Sequence, residues 1–159
     1  MDYLSWKTIH IASVIIFIGN ITTGLFWAAH AKKSRDFKII ASTFSGISKS
    51  DRWFTLPGVF GILISGVALA LAAKFPILST GWIFWALMLF AVSGIVFSIW
   101  IAPLQKQISQ YCETQNSDEK SWNHFTSLYK KWEIYGLIAL FSPAIAFVLM
   151  VLKPGIPGL

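Results

Sequence analysis

Four stretches of this chain stay apolar for the length of a membrane crossing, with polar or basic segments between them. They run from about Thr8 to Ala31, Trp53 to Ala73, Gly81 to Leu104 and Trp132 to Leu152. A helix needs ~20 mostly apolar residues to cross the hydrocarbon layer. None of the four carries a charge in its middle. None shows the polar stripe that a bundle helix turns toward water. The pattern predicts an all-α fold, a single four-transmembrane-helix bundle over residues 1–159.

The connections hold shorter patterns. Phe37, Ile40, Phe44 and Ile47 recur at helical spacing and predict a short interfacial helix over 37–48. Trp122, Phe125, Tyr129 and Trp132 extend the fourth helix backward, with Ser121 as its expected N-cap. The link 74–80, with Pro76, reads as a tight hairpin, and the links 32–52 and 105–131 read as polar segments.

Composition supports a membrane protein. Hydrophobic residues make up 55% of the chain and charged residues 13%, against ~25% charged in soluble domains. The net charge is +6. Its placement in aromatic-rich apolar surroundings fits lipid headgroups and excludes nucleic acid as the partner. Lys32, Lys33, Arg35, Lys38, Lys49 and Arg52 flank one link, and Lys106, Lys120, Lys130 and Lys131 flank another. Only Lys7, Lys74 and Lys153 fall at the opposite end. Basic residues stay cytoplasmic, so both termini are expected on the outer side of a bacterial inner membrane. Trp6, Trp53, Trp82, Trp100 and Trp132 fall where an aromatic belt would. The N-terminus lacks the basic region of a cleavable signal peptide. Cys112 is the sole cysteine, so no intrachain disulfide forms. It reads as a free thiol in a polar loop.

Candidate chemistry centres on His10. Imidazole at membrane depth needs a partner, a cofactor or water. His10, Ser13, Phe17, Asn20 and Gly24 fall within roughly 80° of one another on the first helix. That stripe should face the bundle interior, as the wall of a site open toward the outer leaflet. His10 has three readings from position alone: an axial ligand for haem iron, a hydrogen-bonded structural histidine, or part of a proton or metal path. His30 lies ~30 Å farther along the helix and cannot share that site. A His30–His124 pair at the other end lacks a third metal ligand. Met88 and Met150 are the spare soft ligands within the spans.

Gly61 and Ser65 on the second helix permit close helix packing. Pro143 should free a carbonyl in the fourth helix. Arg52 and Glu133 are expected to pair at the membrane boundary. Lys153 is either a snorkelling anchor or a charge near His10. No phosphate-cradling glycine loop, nucleophile elbow or metalloprotease motif is present, and no catalytic residue is assigned.

The segments Trp6-Lys7-Thr8-Ile9-His10-Ile11, Asn20 to Trp27, Ser50 to Gly58, Ala102-Pro103-Leu104-Gln105, Lys131-Trp132-Glu133 and Val151-Leu152-Lys153-Pro154 resemble an uncharacterised bacterial family of predicted four-helix integral membrane proteins. Lys7-x-x-His10, His30 and Lys153-Pro154 are more distantly similar to the membrane-bound protoporphyrinogen oxidase of bacteria and to the membrane domain of the copper-resistance D proteins. The oxidase resemblance implies haem b on His10 and a functional Lys153. The sequence departs from the oxidase at the last helix, where only Glu133 matches its Asn-Glu-x-Pro motif.

The leading expectation is therefore an integral membrane protein that binds haem b through His10, the ligand to the haem iron, with a redox role. Ser13 and Asn20 would supply polar groups to the site. Lys153 would meet a haem propionate or a substrate carboxylate. The alternative is a permeation, metal-handling or structural membrane protein without haem. Helix faces rich in small residues allow a homodimer without requiring one.

Overall fold

The computed structural model describes residues 2–116 and 118–159. Met1 and Ser117 lie outside the described residues. Four long rods account for nearly all of it. They are α1 (Tyr3–Ser34), α2 (Phe37–Ala72), α3 (Gly81–Thr114) and α4 (Glu119–Leu152), each long and apolar enough to cross a membrane.

The two polar connections are shorter than hydropathy suggests, because the helices run on past the apolar stretches. Between α1 and α2 only Arg35 and Asp36 intervene. Arg35 takes a left-handed conformation and Asp36 caps α2 through Lys38 N–H. The expected N-cap of α4 moves from Ser121 to Asp118, whose carboxylate accepts from Ser121 N–H at 2.7 Å. That backbone hydrogen bond, with help from the Ser121 side chain, holds the Asp118 carboxyl below its usual range. The cap is present above the ordinary aspartate range and is lost as pH falls through the lowered value.

Two π-helical turns interrupt the rods, Asp51–Thr55 in α2 and Phe97–Ile101 in α3. Each ends two residues before a proline, Pro57 or Pro103. A proline ring collides with the carbonyl four residues back, here Trp53 or Ile99. A widened turn carrying that carbonyl relieves the collision without ending the helix.

These turns divide the molecule into two layers. Toward the chain termini, α1 packs on Leu56–Ala72 and Gly81–Val96 packs on α4. No Cα of Leu56–Ala72 comes within 8 Å of Gly81–Val96 or of α4. The two pairs are splayed there, with Phe17 reaching Phe90 across the gap at 5.4 Å between ring centroids. Past the π turns, Phe37–Ser50 packs on Ala102–Thr114, and all four helices close into one bundle. Most of the buried side chains belong to this basic end, including Ile40, Phe44, Ile108, Phe125 and Tyr129.

The segment read as an interfacial helix is corrected here. Its apolar face, Phe37, Ile40, Phe44 and Ile47, is buried against α3 and α4 rather than laid on the membrane. Cys112 likewise sits in helix and is buried, not in a polar loop.

Two further devices hold the layers. Pro143 has no N–H to give the Ala139 carbonyl, and the Ser93 hydroxyl on α3 takes that place at 2.8 Å. The C-terminal tail folds back on the α2–α3 hairpin. Leu159 N–H donates to the Leu78 carbonyl at 2.9 Å, and Trp85 Nε1 donates to the Pro157 carbonyl at 3.1 Å. Gly81 permits this approach, since a Cβ there would collide with the Ile156 carbonyl.

Candidate functional site

The stripe on α1 meets a ladder of small and polar residues on α2. His10 faces Ser65 and Gly66, Ser13 faces Gly61, Phe17 faces Gly58, and Asn20 faces Thr55 and Asp51. Gly24 continues the series against Ile47. The expected interior stripe is therefore real, and much of it is filled by α2 rather than standing as the wall of an open site. Absent side chains let the two backbones approach closely, as they do between membrane helices generally.

His10 is half-buried, and its Nδ1 lies 3.0 Å from Ser65 Oγ. The Ser65 hydroxyl spends its proton on the Gly61 carbonyl, one turn back. Its oxygen is left to accept, so the His10 proton is assigned to Nδ1. Nε2 then carries the lone pair. Among the described residues Nε2 makes no side-chain hydrogen bond, and the ring also approaches the Ile62 backbone. A Cβ on Gly66 would stand 3.2 Å from His10 Cε1, so glycine there makes room for the ring. Imidazole held at Nδ1 with Nε2 free is the arrangement of a metal-ligating histidine.

The second polar centre was not singled out from sequence. Asp51 is buried, at 7% exposure. Its Oδ1 accepts from Asn20 Nδ2 at 3.0 Å and from Thr55 Oγ1 at 2.9 Å, and its Oδ2 accepts from Gln105 Nε2 at 2.9 Å. Ser50 in turn donates to Asn20, and Ser48 donates to Gln105 at 3.2 Å. The node joins α1, α2 and α3 at the level of the π turns. A signal for it existed. The small-residue ladder of α2, followed down through Gly61 and Gly58, leads to Thr55 and Asp51 at helical spacing.

Other candidates are dispersed. Lys153 takes a left-handed conformation at the end of α4, with its ammonium 5.3 Å from the Trp82 ring centroid. Arg52 and Glu133 do not pair. Arg52 is exposed, and Glu133 accepts from the Tyr129 hydroxyl at 3.4 Å. His30 stands beside Trp27, and His124 tilts against Tyr111. Among the described residues no three His, Cys, Asp or Glu side chains converge as a metal site.

Residues 4–154 match the family model described as "Predicted integral membrane protein (DUF2269)". The chain belongs to this family. No curated protein and no solved structure matches it. Its place as a multi-pass integral membrane protein built from four long helices thus rests on the family match and on the helices themselves.

Proposed function

We propose that this membrane protein binds haem b in a bacterial inner membrane and has a redox role, with His10 as the axial ligand. The observation that carries this is the state of the imidazole. Ser65 holds Nδ1, and among the described residues Nε2 makes no side-chain hydrogen bond. His10 stands two turns from Phe17 on one face of α1, and Phe17 marks the gap between the splayed helix pairs. The resemblance of Lys7-x-x-His10 and Lys153-Pro154 to the haem-containing oxidase points the same way.

Haem, when bound, supplies a one-electron iron couple tuned by its axial ligation and surroundings. The chain's own contribution is narrower. Ser65 fixes the ring, and Gly66 leaves it room. Of the expected polar site residues, Ser13 and Lys153 lie at that end. Asn20 lies ~15 Å farther along α1, and its amide is engaged by Asp51, Thr55 and Ser50.

The absorption spectrum of the detergent-purified protein, expressed with added haem, tests the reading. A Soret band is expected, and His10→Ala should abolish or shift it. A colourless wild-type protein removes the proposal and favours permeation or metal handling without haem.

The helix register bears on the membrane placement. Arg52, Lys106 and Lys131 adjoin residues that meet at the Asp51 level. Lys74 and Lys153 mark the other boundary. On α1 these levels favour a crossing by about residues 3–22, ~30 Å of helix, displaced toward the N-terminus from the apolar run 8–31. The basic bundle would then stand in the cytoplasm, with both termini outside. Periplasm-dependent reporters fused to either end should be active. Activity of a cytoplasm-dependent reporter at either end would reverse the orientation.

A further inference from the structure

A small cavity opens beside the Asp51 node. It measures about 20 Å³ and is lined by Asn20, Asp51, Gln105 and Trp132 among apolar neighbours. Trp132 is 2% exposed, and its indole Nε1 is buried with no hydrogen-bond partner. A buried N–H left unpaired is costly, so an acceptor is expected. A space of ~10–15 Å³ suffices for one water, provided two or more polar groups reach it. Trp132 offers a donor, and Asp51 offers acceptor lone pairs.

We propose that one water occupies this cavity, bridging the Trp132 indole to the Asp51 carboxylate, and that Asp51 takes up and releases a single proton through it. The step balances simply. A hydronium in the cavity gives its proton to a carboxylate oxygen, leaving neutral water and a neutral carboxyl. Release is the reverse.

The surroundings suit a proton rather than a fixed ion pair. The side chains bonded to the Asp51 carboxylate, Asn20, Thr55 and Gln105, are all neutral. On α2 itself Lys49 and Arg52 are exposed, and on α3 Lys106 is exposed. On α1 the facing group is the neutral Asn20. On α4 it is Trp132, with Glu133 turned to Tyr129. The Thr55 hydroxyl can exchange its donor role for an acceptor role, so the node can hold either form of the acid. A route to the surface adjoins it. Asn20 and Ser50 also line a groove of about 390 Å³ between α1 and the basic half of α2, with Thr23 and Thr43 beside them. The proposal does not depend on haem.

pH-difference infrared spectroscopy of the full chain in lipid bilayers tests it. Acidification should produce a protonated-carboxyl stretch that shifts when the protein carries isotope-labelled aspartate. Asp2, Asp36 and Asp118 are exposed, so a band of a buried, weakly hydrated carboxyl belongs to Asp51. Asp51→Asn should remove it. Trp132→Phe, which deletes the donor to the water, should displace it. Should Asp51→Asn fail to fold, the labelled wild type and Trp132→Phe still decide. No labelled buried-carboxyl band at any pH that preserves the fold, or a band unmoved by Trp132→Phe, overturns the proposal.

Discussion

Phe44→Ala is expected to cost about 3–5 kcal/mol, the usual range for emptying a buried phenylalanine site. Phe44 is fully buried. Its ring meets Trp132 edge-on at 4.9 Å and Tyr129 at 6.5 Å, between centroids. Those two rings belong to α4, so the side chain ties the basic half of α2 across the bundle. Neighbours held by helix backbone on three sides have little freedom to collapse into the space. Unfolding in mixed micelles of mild and denaturing detergent would measure the loss. Ile39→Ala, on the same helix and 47% exposed, serves as the control and should change little. Equal stability of the two variants would mean that the basic end contributes little to the fold.

Gly58→Leu should separate α1 from α2. A Cβ at Gly58 already stands 3.2 Å from Phe17 Cβ and 3.4 Å from the Ser13 carbonyl. The second contact is backbone, which cannot swing aside. A leucine side chain must therefore push α1 away, at ~1–3 kcal/mol or more for overpacking. Helix propensity opposes this, because leucine gains most of the ~1 kcal/mol that glycine forfeits in a helix. Gly19→Leu isolates that term, since nothing lies within 4 Å of a Cβ at Gly19. Gly19→Leu is expected to unfold no earlier than wild type, and Gly58→Leu clearly earlier. If both behave alike, the α1–α2 contact is looser than the 3.2 Å approach at Gly58 implies. Displacing α1 should also break the Asn20–Asp51 hydrogen bond ahead of the His10–Ser65 one, because Gly58 lies closer to Thr55 than to Ser65.

What the sequence discloses follows from how far each signal reaches. Hydropathy finds the four rods because lipid demands continuous apolar helix. It stops at the first charges, although the backbone continues for several turns, so the basic-end bundle goes unseen. The stripe Phe37, Ile40, Phe44, Ile47 is plain as a pattern, yet a single helix face does not state what covers it. Here α3 and α4 cover it, not lipid. His10 announces itself because imidazole is rare at such depth. Asp51 does not, because beside Arg52 it resembles an ordinary boundary charge. Only the pairing of helices puts it opposite Asn20, and pairing is the information a lone sequence lacks. The expected Arg52–Glu133 bridge fails for the same reason. Closeness to one boundary does not make two side chains meet.

The matched prolines have a mechanical consequence. Each of α2 and α3 changes partner where its π turn lies, so the molecule is a rigid stem bearing two paired arms. Arms ~25 Å long would turn a small tilt at the stem into a larger displacement at their tips. The fulcrum falls in the layer where Asp51 binds Asn20 and Gln105. A tilt of either arm would therefore be opposed by the hydrogen bonds of that one carboxylate.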